Sequence, residues 1–309
     1  MSFVENFLVD PKIKLSPPNL LNDPFESHGI EEIKDLMYRS YIAEGATPLK
    51  INGRELSEER AKRMIQNNPT NIVARTGIVS LSESNRSLLM WAHYANQHKG
   101  IVIGFEDDFL SDIEIDDVAQ KKMVHTRFPI KISYDTSRFD LMEFQIIGTT
   151  VQDISKQLAV KLLTTKSDDW IYEKEHRYIV PIAAADDIRY FGKTKGRTDL
   201  IRRLIADKKI HIDRKTQIVT VDKNVNMDNG LYVSISKDDN FMFYKKINPI
   251  KIKSIFFGLR TPEKQIEKFV LDIESMPDKL GHIELFKYKL CDKEFKLIKG
   301  RVEKINYLL

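Results

Sequence analysis

Apolar residues in this chain recur at two different periods, and the two kinds of segment follow one another in no regular order. Two-residue alternation and short apolar runs predict strands at 13–15, 76–81, 101–105, 129–134 and 172–182. In the last third they predict strands at 217–222, 231–235, 241–246, 252–257, 283–290 and 295–298. Three- to four-residue spacing predicts helices at 31–44, 57–66, 86–95, 139–163, 197–207 and 262–273. Irregular interleaving of this kind constrains the chain to an α+β fold, with a mixed or antiparallel sheet core and flanking helices. A regular βαβ array would alternate strictly. No Gly-x-Gly-x-x-Gly follows a strand and no Gly-rich loop ends in Gly-Lys-Ser/Thr. A dinucleotide-binding doubly wound domain and a P-loop nucleotidase are therefore poor matches.

With 309 residues the chain is long enough for a full hydrophobic core, and it reads as one α+β domain spanning 1–309. Its lone cysteine, Cys291, cannot form an intrachain disulfide or a cysteine-based zinc site. No apolar run approaches the ~18 residues that span a bilayer. The first residues lack the basic-then-apolar profile of a secretory signal. These features predict a cytoplasmic protein with no membrane partner.

Charge is uneven along the chain. Residues 186–309 carry 27 Lys+Arg against 18 Asp+Glu, a net +9, and set apart a basic C-terminal subdomain; residues 1–185 carry a net −5. The densest basic stretch, 189–215, includes Lys193, Lys195, Arg197, Arg202 and Arg203. Such a stretch suits either a solvated surface or a phosphate-bearing partner, and it nominates those five residues for nucleic acid.

Three segments carry candidate chemistry. In Leu20-Leu21-Asn22-Asp23-Pro24-Phe25-Glu26, the proline forces an extended or turn conformation on Asp23, so Asn22 and Asp23 read as a polar loop at a pocket rim. In the second, Ser80 and Ser82 share a strand face, and Trp91, His93 and Tyr94 follow on a short helix. Trp91 and Tyr94 are neighbours at i and i+3 and suit stacking on a planar ring. His93 and His98 are five apart, which does not suit a metal site. The third runs from Lys166 to Val180. Read as a strand, it places Glu173, Glu175 and Arg177 on one face, ~6.5–7 Å apart in succession. Arg177 would hold one carboxylate ionised and oriented. The other would be free to bind a sugar hydroxyl or stabilise a developing cation. A surface ion-pair ladder is the alternative for the same pattern.

Together these segments resemble a bacterial family of domains of unknown function, number 2971. The resemblance runs over Leu15-Ser16-Pro17-Pro18 through Glu26, Gly77 through Phe105 and Trp170 through Arg177, with a weaker match at Phe257-Gly258. Family members commonly begin with a Tyr-rich strand before the Pro-Pro segment, so that first element is expected to be missing or short here. A remoter similarity follows from order: Ser80-x-Ser82 on one strand and Glu173-x-Glu175 on a later one look like the serine and Glu-x-Glu strands of ADP-ribosyltransferases. That likeness implies NAD as substrate, Glu175 as the catalytic carboxylate, Glu173 positioning an acceptor and Arg177 orienting the pair. Ser80, Ser82, Trp91, His93 and Tyr94 would then build the NAD pocket. The acceptor would be nucleic acid or protein, as for a bacterial toxin or phage-defence effector. Two other functions fit the same residues: a nucleic-acid sensor without catalysis, and a metal-dependent nuclease using Asp23, Glu173 and Glu175.

Overall fold

The computed structural model describes residues 7–26, 28–45, 48–51, 53–113, 123–192, 199–222 and 230–302. In chain order it begins with β1 (Lys12–Leu15), α1 (Glu31–Ala43), β2 (Lys50–Ile51), β3 (Arg54–Glu55), α2 (Glu58–Gln66) and α3 (Asn68–Val73). Next come β4 (Thr76–Ser82), α4 (Leu88–Tyr94), β5 (Ile101–Phe105), β6 (Ile130–Lys131), β7 (Ser133–Asp135) and α5 (Val151–Thr164). Then follow β8 (Thr165–Ser167), a 3₁₀ helix (Asp168–Glu173), β9 (Glu175–Pro181), β10 (Asp187–Tyr190), α6 (Asp199–Ala206), β11 (Ile210–Ile212) and β12 (Val219–Val221). The chain continues through α7 (Leu231–Ser236), β13 (Phe241–Lys246), β14 (Ile252–Phe257), α8 (Glu263–Ser275), α9 (Pro277–Leu280), β15 (Glu284–Leu290) and β16 (Leu297–Arg301).

These elements make an α+β fold with antiparallel and mixed sheets, as the irregular interleaving implies. Strands β4, β9 and β6 form an antiparallel sheet in the order β4-β9-β6, and β1, β13 and β10 another in the order β1-β13-β10. A single bridge joins them. Ser16 N donates to Ile78 O at 2.9 Å and Ile78 N to Ser16 O at 2.8 Å, so β1 runs beside β4. Gly77 permits this close crossing: a Cβ there would stand 2.8 Å from that of Leu15. The mixed sheet β16-β15-β14-β5 closes the C-terminal part, with β14 and β15 parallel.

The strand β4–β9 pair is sandwiched. Val79, Tyr178 and Val180 face a core that includes Phe241, Phe243 and Ile235. Ile78 and Ile179, one residue out of phase, face Met37, Leu158 and Leu163 on α1 and α5. Alternation along an antiparallel pair buried on both faces leaves only its ends for polar side chains. Those ends are Ser80–Ser82 and Glu175–Arg177, held in register as Ser80↔Arg177 and Ser82↔Glu175.

Three sequence expectations are corrected. Residues 231–235 form a helix rather than a strand. Leu231, Tyr232 and Ile235 share a buried helical face, and tertiary burial outweighs the β-branched composition. The 139–163 segment is helical only from Val151, because Thr150 caps it by accepting from Asp153 N at 3.1 Å. Tyr172 and Glu173 end a 3₁₀ turn instead of opening a strand. Lys174 then adopts a left-handed conformation (φ 47°), and β9 starts at Glu175.

Candidate functional site

Where β1, β4 and β9 lie side by side, a cavity of about 370 Å³ opens. Its walls include Lys14 on β1 and Ser16 just after it, Ser80 and Ser82 on β4, Glu175 and Arg177 on β9, and Glu173, Lys166, Asn22, Glu26 and Tyr94 from their flanks. Volumes of this order are typical of small-ligand sites.

The floor is a buried cluster of three carboxylates and two cations. Arg177, 1% exposed, grips Glu175 with Nε donating to Oε1 at 2.7 Å and Nη2 to Oε2 at 2.9 Å. Its Nη1 donates to Leu163 O at 2.8 Å and lies 2.7 Å from Glu26 Oε2. Lys166 Nζ lies 2.7 Å from Glu173 Oε2, 3.3 Å from Glu175 Oε2 and 3.6 Å from Glu26 Oε1, while sitting over the Trp170 ring at 4.5 Å. Glu26 contacts both cations without a well-aligned hydrogen bond to either oxygen. Isolated charges at this depth would be strongly unfavourable, so each member depends on the others.

The groups respond differently to burial. Desolvation alone would raise the Glu175 pKa. The hydrogen bonds and charge of Arg177, with Lys166 and Ser80, outweigh it and hold Glu175 below the usual carboxylate range. For Glu26 desolvation wins over Arg177 and Lys166, and its pKa is raised. Desolvation lowers and the three carboxylates raise the Lys166 pKa; the carboxylates prevail. The fully ionised cluster sets three carboxylates against two cations, and Glu26 is the carboxylate whose neutral form burial favours.

Tyr94 closes the cavity from α4. Its hydroxyl donates to Glu173 Oε1 and accepts from Asn22 Nδ2 at 3.3 Å. Burial, followed by the hydrogen bond to Glu173, pushes the phenol pKa well above its ordinary value. Ser82 Oγ donates to Glu173 O at 2.7 Å, and Glu175 N donates to the Tyr134 hydroxyl at 2.7 Å, so the acidic segment is pinned at both residues. Glu173 thus reaches the same face as Glu175 through the left-handed Lys174, and not through strand alternation.

Of the residues nominated from sequence, Asn22, Ser80, Ser82, Tyr94, Glu173, Glu175 and Arg177 line this cavity. Three do not. Trp91 is 1% exposed, packs with Phe256, Tyr288 and Leu297, and donates from Nε1 to Asn85 O at 2.8 Å; it presents no ring to a ligand here. His93 is exposed on α4, beside the rings of Tyr94 and Tyr172. Asp23 is buried in an adjoining cavity of about 220 Å³, its Oδ1 accepting from Phe25 N at 2.9 Å. It does not meet Glu173 and Glu175, and Lys166 stands among the carboxylates where a nuclease would need its metal. Among the described residues, no group of three or more His, Cys, Asp or Glu side chains is arranged to hold a metal ion.

Lys193, Lys195 and Arg197 lie outside the described residues. Arg202 and Arg203 are exposed on α6, and Arg202 pairs with Asp199 at 3.3 Å. Sequence reasoning assigned no role to Lys14, Glu26, Lys166 or Tyr134. Glu26 and Lys166 each stand in a segment already singled out, and a basic residue just ahead of an acidic run was the available signal for Lys166. Among the described residues, no helix is long and apolar enough to cross a membrane.

No curated protein and no solved structure matches the chain. A family model described as "Protein of unknown function (DUF2971)" matches residues 90–178, the stretch that supplies Tyr94, Lys166, Glu173, Glu175 and Arg177. Over that stretch, less than a third of the chain, the sequence is similar to that family, which supports the resemblance carried by its motifs.

Proposed function

We propose that the cavity transfers ADP-ribose from NAD to an acceptor. The observation that supports this reading is the convergence of side chains from three neighbouring strands: Lys14 beside β4, Ser80 and Ser82 on it, and the Glu173–Glu175 pair at the start of β9. The resemblance of these strands to the serine and Glu-x-Glu strands of ADP-ribosyltransferases rests on residue order. Lys14 adds a basic residue on a strand ahead of the serine strand.

In this reading the nicotinamide-ribose bond breaks at C1′, and its electron pair leaves on the nicotinamide ring nitrogen, which becomes neutral. Positive charge develops on the ribose C1′ and ring oxygen. Glu175, kept ionised by Arg177, faces that charge in a site where few waters compete. An acceptor nucleophile then bonds to C1′, and its proton passes to Glu173, which Tyr94 and Lys166 hold in place. Ser80 and Ser82 supply hydroxyls toward the ribose, the Tyr94 ring is available to stack on nicotinamide, and Lys14 offers a cation for the phosphates.

The test is incubation of the full chain with NAD and detection of released nicotinamide. Release that disappears in Glu175→Gln, with the variant still folded, supports the reading. The acceptor is sought among proteins and nucleic acids by transfer of labelled ADP-ribose.

A further inference from the structure

A second concave surface lies on the C-terminal sheet, on the face that α4 covers only in part. Trp91 of α4 packs on Phe256, Tyr288 and Leu297, while the opposite face is covered by Ile266, Phe269, Val270 and Ile273 of α8. Beyond Trp91, a groove of about 650 Å³ runs between Asn85–Arg86 and the β15–β16 hairpin. Its lining residues include three cations, Arg86, Lys296 and Lys299, and no carboxylate. Lys296 pairs with Glu294 on the hairpin turn. The Arg86 guanidinium has no hydrogen-bond or ion-pair partner among the described residues, and Lys299 lies over the Phe286 ring at 4.4 Å and the Phe256 ring at 5.7 Å. Beside Lys296, at the hairpin turn, Phe295 is as exposed as a free side chain (105%).

Lysines on an edge strand also discourage sheet-to-sheet pairing. That role explains Lys299 on β16 and Lys296 just before it, but not Arg86, which faces them from the other wall. Like charges drawn into one groove repel each other, and an anion between them removes the repulsion. Phe295, fully exposed and next to Lys296 in the chain just outside the groove lining, adds a face on which a base can stack. Phosphates and planar bases occur together in nucleic acid, and single strands alone leave the base faces free.

We propose that this groove binds single-stranded nucleic acid, with Arg86, Lys296 and Lys299 on the phosphates and Phe295 against a base. The proposal is independent of the NAD reading, because it requires no turnover. It also places nucleic-acid contact away from the basic 189–215 stretch.

The test is fluorescence anisotropy of a labelled single-stranded oligonucleotide of about a dozen nucleotides with the full chain, between roughly 50 and 200 mM salt. Three phosphate contacts predict a log–log salt slope near about −2, at ~0.7 per contact for single strands. The R86E/K299E variant should bind about tenfold or more weakly, with a slope reduced to about −0.7. R202E/R203E on α6 should bind like the parent. Both replaced side chains in R86E/K299E are exposed, and circular dichroism checks that it is folded; R86Q and K299Q provide milder versions. Undiminished binding in R86E/K299E, loss confined to R202E/R203E, no oligonucleotide binding by the parent at the lowest salt, or binding to anionic lipid vesicles in place of oligonucleotide would each overturn the proposal.

Discussion

Glu175 combines two duties that pull in opposite directions. Its charge is needed in the proposed reaction, and the same charge neutralises the buried Arg177. Were Glu175 free on a strand face, Glu175→Gln would be nearly neutral for stability. The bidentate contact alters that expectation, because removing one partner of a buried pair typically costs about 3–5 kcal/mol. Urea denaturation should show a loss of that order, and activity comparisons need a folded fraction measured alongside. Glu26 gives a second prediction, about pH. Its pKa is raised on folding above the ordinary 4.5, so the folded state binds the extra proton. Stability from this group is complete below 4.5 and is lost as pH rises through the folded value. For Glu175 the folded pKa is lowered, so its contribution is present above 4.5 and is lost as pH falls through the folded value. Together these two groups favour the folded state most between the folded pKa of Glu175 and that of Glu26. Glu26→Gln should flatten the decline as pH rises through the folded Glu26 value and leave the acid side, as followed by denaturant titrations across pH.

Among the elements, β1 matters because it brings Lys14 and Ser16 to the cavity across Gly77. Gly77→Ala would push a methyl group into Leu15, 2.8 Å away, and force β1 off β4. Overpacking of this kind costs about 1–3 kcal/mol. It should also weaken NAD binding more than it slows turnover, because Glu175 and Arg177 sit on the far side of β4. A KM rise with little change in kcat is the expected signature. The α4 helix carries a contrasting pair. Tyr94→Phe removes the hydroxyl that holds Glu173 and should lower turnover, whereas Trp91→Phe should reduce thermal stability and leave turnover in the folded protein unchanged. These two residues looked alike in the sequence. Their i, i+3 spacing marks neighbours on one helix side, but it does not tell which of them meets the C-terminal sheet and which meets the cleft. Strand positions were legible because short apolar runs mark Thr76–Ser82 and Ile252–Phe257, continuously buried over Thr76–Val79 and Ile255–Phe257. The 3₁₀ turn before Glu175 was not, since six residues give too short a window for any period, and the left-handed Lys174 has no glycine to announce it.

On the scale of the molecule, two sheets and the helices around them serve to keep a charged cluster dry at one end of a strand pair. The acidic and basic members come from segments far apart in sequence: Glu26 before α1, Lys166 after α5, and Glu175 and Arg177 at the start of β9. Of the five charged members, Glu175 and Arg177 were readable from local spacing, and Glu173 was named on a strand alternation that it does not follow. Their two partners were not, because partnership across such distances depends on the path of the chain. The Ser80↔Arg177 and Ser82↔Glu175 register is likewise a tertiary fact that local pattern only suggests. The most direct examination of the central claim is the release of nicotinamide from NAD by the intact chain, compared with Glu175→Gln and Trp91→Phe at matched folded fractions. The account predicts release by the parent and by Trp91→Phe, and none by Glu175→Gln. Equal release by the parent and Glu175→Gln, or no release by the folded parent with any protein or nucleic-acid acceptor present, would contradict it.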